Sequence, residues 1–109
     1  MPDFNDFLTL LKEHLVTLGR SEVEEHAEAL LQDGQDFAQQ AEADLKQWTG
    51  ALAAGAMTGP EFRLAVRGRA ELAQMEALKQ AGLAAIRIDK LKQSIVDTIV
   101  DAATHTFLT

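Results

Sequence analysis

The sequence predicts an all-α protein: a long antiparallel helical hairpin plus a shorter N-terminal helix. As one chain this makes a three-helix bundle, and as a dimer it is four-helix-bundle-like. Three observations carry the prediction. Ala, Leu, Glu, Gln and Lys dominate the composition, all strong helix formers, and Tyr is absent. β-Branched residues are sparse before Ile86. Apolar residues recur at three- and four-residue steps along most of the chain, the period of a helix with one buried face. With 109 residues the chain has room for a single helical domain, 1–109.

The first helix is expected over about 4–18. Phe4, Phe7, Leu8, Leu11, Leu15 and Leu18 form its apolar face, and Gly19 interrupts it. Ser21 reads as the N-cap of the next helix, with Glu24 completing a capping box. The second helix spans about 22–54. Its stripe runs from Val23 through Leu30, Gly34, Phe37 and Leu45 to Trp48 and Leu52. The remaining faces are polar, so this stripe reads as one narrow, coiled-coil-like seam. Gly55 is a natural stop. Thr58-Gly59-Pro60-Glu61 has the form of a second capping box, with Pro60 at a position where no helical N–H partner is needed.

The third helix is expected over about 60–106, without proline and with Gly68 and Gly82 as its weak points. Its early stripe is narrow: Leu64, Leu72, Met75, Leu78. Its later part is broad, and Leu91, Ile95, Ile99 and Phe107 belong to an apolar surface that covers two faces. A tight turn near residue 57 sets the hairpin register. Trp48 then lies level with Val66 and within a half-turn of Gly68, so that glycine reads as a packing partner of the tryptophan. The N-terminal helix either folds back over this hairpin or continues the second helix. Continuation would give a hairpin roughly 70 Å long, with Phe7 level with Phe107 and Leu11 level with Ala103.

The net charge of −7 is uneven: residues 1–55 carry a balance of −8 and residues 56–109 a balance of +1. The acidic half would repel DNA and anionic lipid, so no nucleic-acid partner is expected. No apolar run approaches the length of a membrane span. The N-terminus, MPDFNDF, is acidic where a cleaved signal would be basic, so a cytoplasmic location is expected, with secretion without a cleaved signal left open. The C-terminal segment 90–109 is amphipathic, but Asp97 and Asp101 interrupt its polar face and favour burial against protein over a membrane surface.

Chemistry is thinly represented. Cysteine is absent, and there is no phosphate loop and no nucleophile elbow, so neither an enzyme nor a cofactor is expected. Of His14, His26 and His105, His26 shares a helix face with Glu22 four residues before it, but that spacing is not the Glu-x-x-His of di-iron bundles, and His14 and His105, which come roughly level if the first helix continues the second, would supply two ligands alone. No metal is expected. Arg63, Arg67 and Arg69 form a basic cluster, read either as a small anion-binding patch or, with Arg67 and Arg69 level with Glu42 and Asp44, as a balance to the acidic helix, the second reading being favoured. Glu22, Glu24, Glu25, Glu28, Asp33 and Asp36 give the second helix an acidic face, either solvated or a surface for a basic partner.

Trp48-Thr49-Gly50, between two helices in a chain of this size, resembles the Trp-x-Gly turn of a family of small secreted bacterial helical-hairpin proteins. The resemblance covers two motif residues and the architecture. It implies a four-helix dimer exported without a cleaved signal. The strongest turn signal lies instead at 55–58, and without Tyr the chain lacks that family's C-terminal Tyr-containing export motif. The reading the residues favour is a non-catalytic helical interaction or assembly module. It would self-associate as a homodimer or other homo-oligomer through Leu91, Ile95, Ile99 and Phe107, with Phe7 and Leu11 covering or extending that face. An acidic inhibitor or decoy using Glu24, Glu25 and Glu28 is the remaining alternative.

Overall fold

A computed structural model describes residues 3–108. Met1 and Pro2, which begin the acidic N-terminus, and Thr109 lie outside the described residues. Asp3 starts the first helix, α1 (Phe4–Glu22). Its carboxylate accepts the Asp6 N–H at 2.9 Å, while the Asp6 carboxylate accepts the Asp3 N–H at 2.9 Å, a reciprocal cap. Phe7, Leu11, Leu15 and Gly19 recur every four residues and are buried. The helix does not stop at Gly19. Ser21 lies inside its last turn, and its hydroxyl donates to the Leu18 carbonyl at 3.2 Å, so no capping box forms with Glu24.

The chain reverses at Val23, through a single 3₁₀ turn over Glu24–His26, into α2 (Ala27–Gln40). Two glycines fit α1 against α2. A Cβ on Gly19 would stand 3.1 Å from the backbone of Ala27, and one on Gly34 would stand 2.9 Å from both Leu15 methyls. Of the two placements open to the N-terminal helix, the structure shows the fold-back. At Ala41 (φ −97°, ψ 14°) the expected single helix bends into α3 (Glu42–Ala53). Gly55, at φ 76°, ends α3. The Ala56 N–H donates to the Ala51 carbonyl at 2.9 Å, and the Gly55 N–H to the Leu52 carbonyl at 3.2 Å. This is the glycine-dependent helix stop that satisfies otherwise orphaned carbonyls.

Thr58 and Glu61 form a capping box at the start of α4 (Gly59–Ala70), with bonds of 3.2 and 2.9 Å. The expected 60–106 helix then breaks twice. Met75 adopts the left-handed conformation (φ 52°, ψ 51°), which costs an L-residue roughly 1–2 kcal/mol. The five-residue α5 (Glu76–Gln80) follows, and Gly82 at φ 92° leads into α6 (Ala85–Leu108). Because of these turns α6 runs back along α4 and packs against both α4 and α1. The principal extents are 41 × 23 × 19 Å, which replaces the 70 Å hairpin with a short bundle wrapped around α6.

The core joins Phe7, Leu11 and Leu15 of α1, Leu30 and Phe37 of α2, Leu45 and Leu52 of α3, Phe62 and Val66 of α4, Leu78 of α5, and Ile95 and Ile99 of α6. Full burial of each such side chain contributes about 1.5–3 kcal/mol. Aromatic contacts tie the chain ends together: the Phe7 ring lies 6.3 Å from that of Phe107 and 5.5 Å from that of Phe4.

Candidate functional site

The apolar surface expected to face a partner is internal. Phe7, Leu11, Leu91, Ile95 and Ile99 are buried within the chain, and Phe107 is half-buried beside Phe7. The surplus apolar face of the last helix exists, but α1 lies over it. A hairpin without that cover would have needed a second chain; folding α1 back supplies the missing layer from the same chain.

The expected hairpin seam is also redrawn. Trp48 and Thr49 lie in the middle of α3, so Trp48-Thr49-Gly50 is helix and forms no turn. Buried Thr49 donates to the Leu45 carbonyl at 2.7 Å. Gly68 is not a partner of Trp48, since no heavy atom lies within 4 Å of where its Cβ would stand. Gly34 meets Leu15 rather than the third helix. Of the basic cluster, Arg69 reaches the Gln40 carbonyl at 3.1 Å and Asp44 at 3.9 Å, while Arg63 pairs with Asp97 of α6.

The acidic residues divide. Glu24 and Glu25 in the 3₁₀ turn and Glu28 in the first turn of α2 are exposed at one corner. Asp33 is not part of a solvated face. It is 4% exposed, and its two carboxylate oxygens accept the Ala77 and Leu78 N–H groups at 2.9 and 2.8 Å. A carboxylate on two unpaired N–H groups at a helix start is favourable on both hydrogen-bonding and dipole grounds. Sequence reasoning had no signal for this role, because the donors are more than 40 positions away. At Thr58, the backbone N–H that Glu61 accepts holds the Glu61 carboxyl below its ordinary value.

What the structure does leave exposed is aliphatic. Leu64, Leu72 and Ile86 are 71%, 73% and 72% accessible. On α4 the buried side is Phe62, Val66 and Ala70, which puts Gly68 on the opposite crest with Leu64 four residues before it, while Leu72 lies in the turn two residues beyond the end of the helix. Leu64 borders a shallow groove of ≈ 380 Å³ with Pro60, Arg63 and Val100. Ile86 borders another, of ≈ 460 Å³, with Glu71 and Asp89. The expected stripe had placed Leu64 and Leu72 inward. Phe62, the largest side chain of the segment and four residues before Val66, was the signal for the true phase.

Among the described residues there is no group of three or more His, Cys, Asp or Glu side chains that could hold a metal ion, and no helix long and apolar enough to cross a membrane. Compared with known protein families, curated proteins and solved structures, the chain matches none.

Proposed function

We propose that the protein is a non-catalytic helical interaction module that self-associates through the outward crest of α4 and the adjoining start of α6. The observation that carries this reading is the exposure of Leu64, Leu72 and Ile86 on a chain that buries most of its other large apolar side chains. Their spacing favours a second copy as partner. Two α4 helices crossing antiparallel at Gly68, about a two-fold axis, would bring Leu64 of each copy towards the turn that carries Leu72 of the other. The open space over Gly68 lets the two backbones approach closely. One helix crossing buries less than the roughly 800 Å² per partner of a standard interface, so the association is weak and depends on concentration. This replaces the buried face of α6 with an exposed one as the point of contact.

The test is absolute mass by light scattering after size-exclusion chromatography, over a concentration series at low and high salt. A salt-insensitive rise in mass that Leu64→Glu removes supports the crest. Leu64 is exposed, so the substitution leaves the core intact. A wild-type mass that stays monomeric throughout sinks the self-association reading. A salt-sensitive complex with a basic protein, lost on neutralising Glu24, Glu25 and Glu28, would move the contact to the acidic corner.

A further inference from the structure

The two breaks between α4 and α6 fall in a segment with no helix-breaking sequence apart from Gly82. Residues 71–84 read ELAQMEALKQAGLA, mostly strong helix formers without proline. The buried stripe of α4, ending at Val66 and Ala70, continues at three- and four-residue steps through Ala73, Ala77, Ala81 and Ala84 to Ile88 of α6. The sequence can therefore form an unbroken helix with a continuous apolar seam. Two causes bend it: at Met75, left-handed and 4% exposed, the cause is tertiary, with the Asp33 carboxylate on the N–H groups of Ala77 and Leu78; at Gly82 it is a local glycine stop, the Gly82 N–H donating to the Lys79 carbonyl at 3.0 Å and the Leu83 N–H to the Leu78 carbonyl at 3.3 Å.

The register of α4 against α6 has a second property. Arg63 pairs with Asp97, residues whose numbers sum to 160, and the grooves that hold Pro60 near Val100 and Glu71 near Asp89 agree with that register to within a turn. The midpoint of that register is Gln80, in the elbow itself. If both bends straighten, 59–108 becomes a single helix of about 75 Å. Two such helices, antiparallel about a two-fold axis near Gln80, would restore the same α4–α6 pairings between chains that the folded chain makes within itself.

We propose that α5 is a latched hinge, and that the protein exchanges α6 with a second copy of itself to form a domain-swapped dimer. The bundle of α1 to α4 from each copy holds the α6 of the other. Exchange of an identical element needs no new interface, and a short strained hinge favours it. The monomer keeps the Asp33 latch; the dimer relieves the left-handed residue and gives the Ala77 and Leu78 N–H groups partners within the continuous helix. This dimer is distinct from the crest contact, because Leu64 and Leu72 remain outside it.

The test uses the full chain refolded at high concentration, with monomer and dimer separated by size-exclusion chromatography. Gly82→Ala penalises the bent form and should raise the dimerisation constant by about 30-fold, since two hinges straighten per dimer. Met75→Gly relieves the bent form and disfavours the straight helix, so it should lower the constant by about as much. Opposite signs at two neighbouring positions are not the mark of simple destabilisation. The Arg63→Cys, Asp97→Cys pair, on a chain that has no other cysteine, reports the connectivity directly. In the isolated dimer a short bismaleimide should join the two chains covalently. Cross-links confined to single chains would overturn the exchange, as would the absence of any dimer from Gly82→Ala. Leu64→Glu separates the two readings: it removes the crest contact and leaves the exchanged dimer.

Discussion

Two of the places where the chain turns back to build its core are made differently. Between α1 and α2 the corner is closed by packing: Gly19 lies against the Ala27 backbone, and Gly34 against the Leu15 methyls. Between α4 and α6 the elbow is held by conformation and one polar group, Met75 and Gly82 in left-handed geometry and Asp33 on α5. Glycine serves both regions with opposite logic. Gly34 is required for the space it leaves to Leu15, and Gly82 for its backbone angle, with open space around it. A corner made by close contact has few alternatives. An elbow made by a latch has one, the straight helix.

Several substitutions break or sharpen this contrast. The largest effect is expected where the two regions meet, in the face of α6 that α1 covers. Ile95→Lys puts an unpaired charge into the core and should cost about 3–5 kcal/mol, seen as lost helicity and a collapsed thermal transition. An Ile95→Lys variant that folds with unchanged Tm would mean that α1 does not cover α6. Next is the corner: Gly34→Leu should destabilise by about 1–3 kcal/mol through overpacking against Leu15 in chemical denaturation. Gly68→Ala, on the open crest of α4, should instead stabilise by about 0.5–1 kcal/mol, and equal signs at the two glycines would erase the distinction.

The latch comes third. Asp33→Asn leaves one carbonyl oxygen for two N–H donors, one buried and one half-buried, and should cost about 1–3 kcal/mol. Amide exchange should rise first at Ala77 and Leu78, while α1 and α2 stay protected; uniform loss of protection would show that the elbow is not a separate unit. The smallest effect belongs to the exposed cap of α4. The folded state depresses the Glu61 pKa, so its contribution is present above the unfolded-state value and lost as pH falls through the folded one. Glu61→Gln should flatten that part of the stability-against-pH curve, and a curve of unchanged shape would deny the cap its role.

How much was readable follows from the range of each cause. The capping box at Thr58–Glu61 and the stop at Gly55 depend on residues at most five apart, and their side chains and angles act locally. Ser21–Glu24 has the same spelling but no box, because α1 runs on to Glu22 and buries Val23 behind it. The interface expected on Leu91, Ile95 and Ile99 was legible as an apolar surplus, yet a linear pattern does not say which segment covers it. The exposed Leu64 and Leu72 were hidden by a phase choice between two overlapping stripes, which the burial of Phe62 decides.

By itself the sequence determined that the chain is helical, where helix α4 begins, and that its last segment must be covered over two faces. Those follow from propensity, capping and periodicity, which act over a few residues. Only the tertiary structure decided that α1 provides the cover and that the chain breaks at Met75, where its own preferences favour a continued helix; the second break, at Gly82, is a local glycine stop. At Met75 the reason is energetic and non-local. Burial of Leu78, together with the Asp33 carboxylate meeting two N–H groups from far along the chain, outweighs the cost of a left-handed methionine.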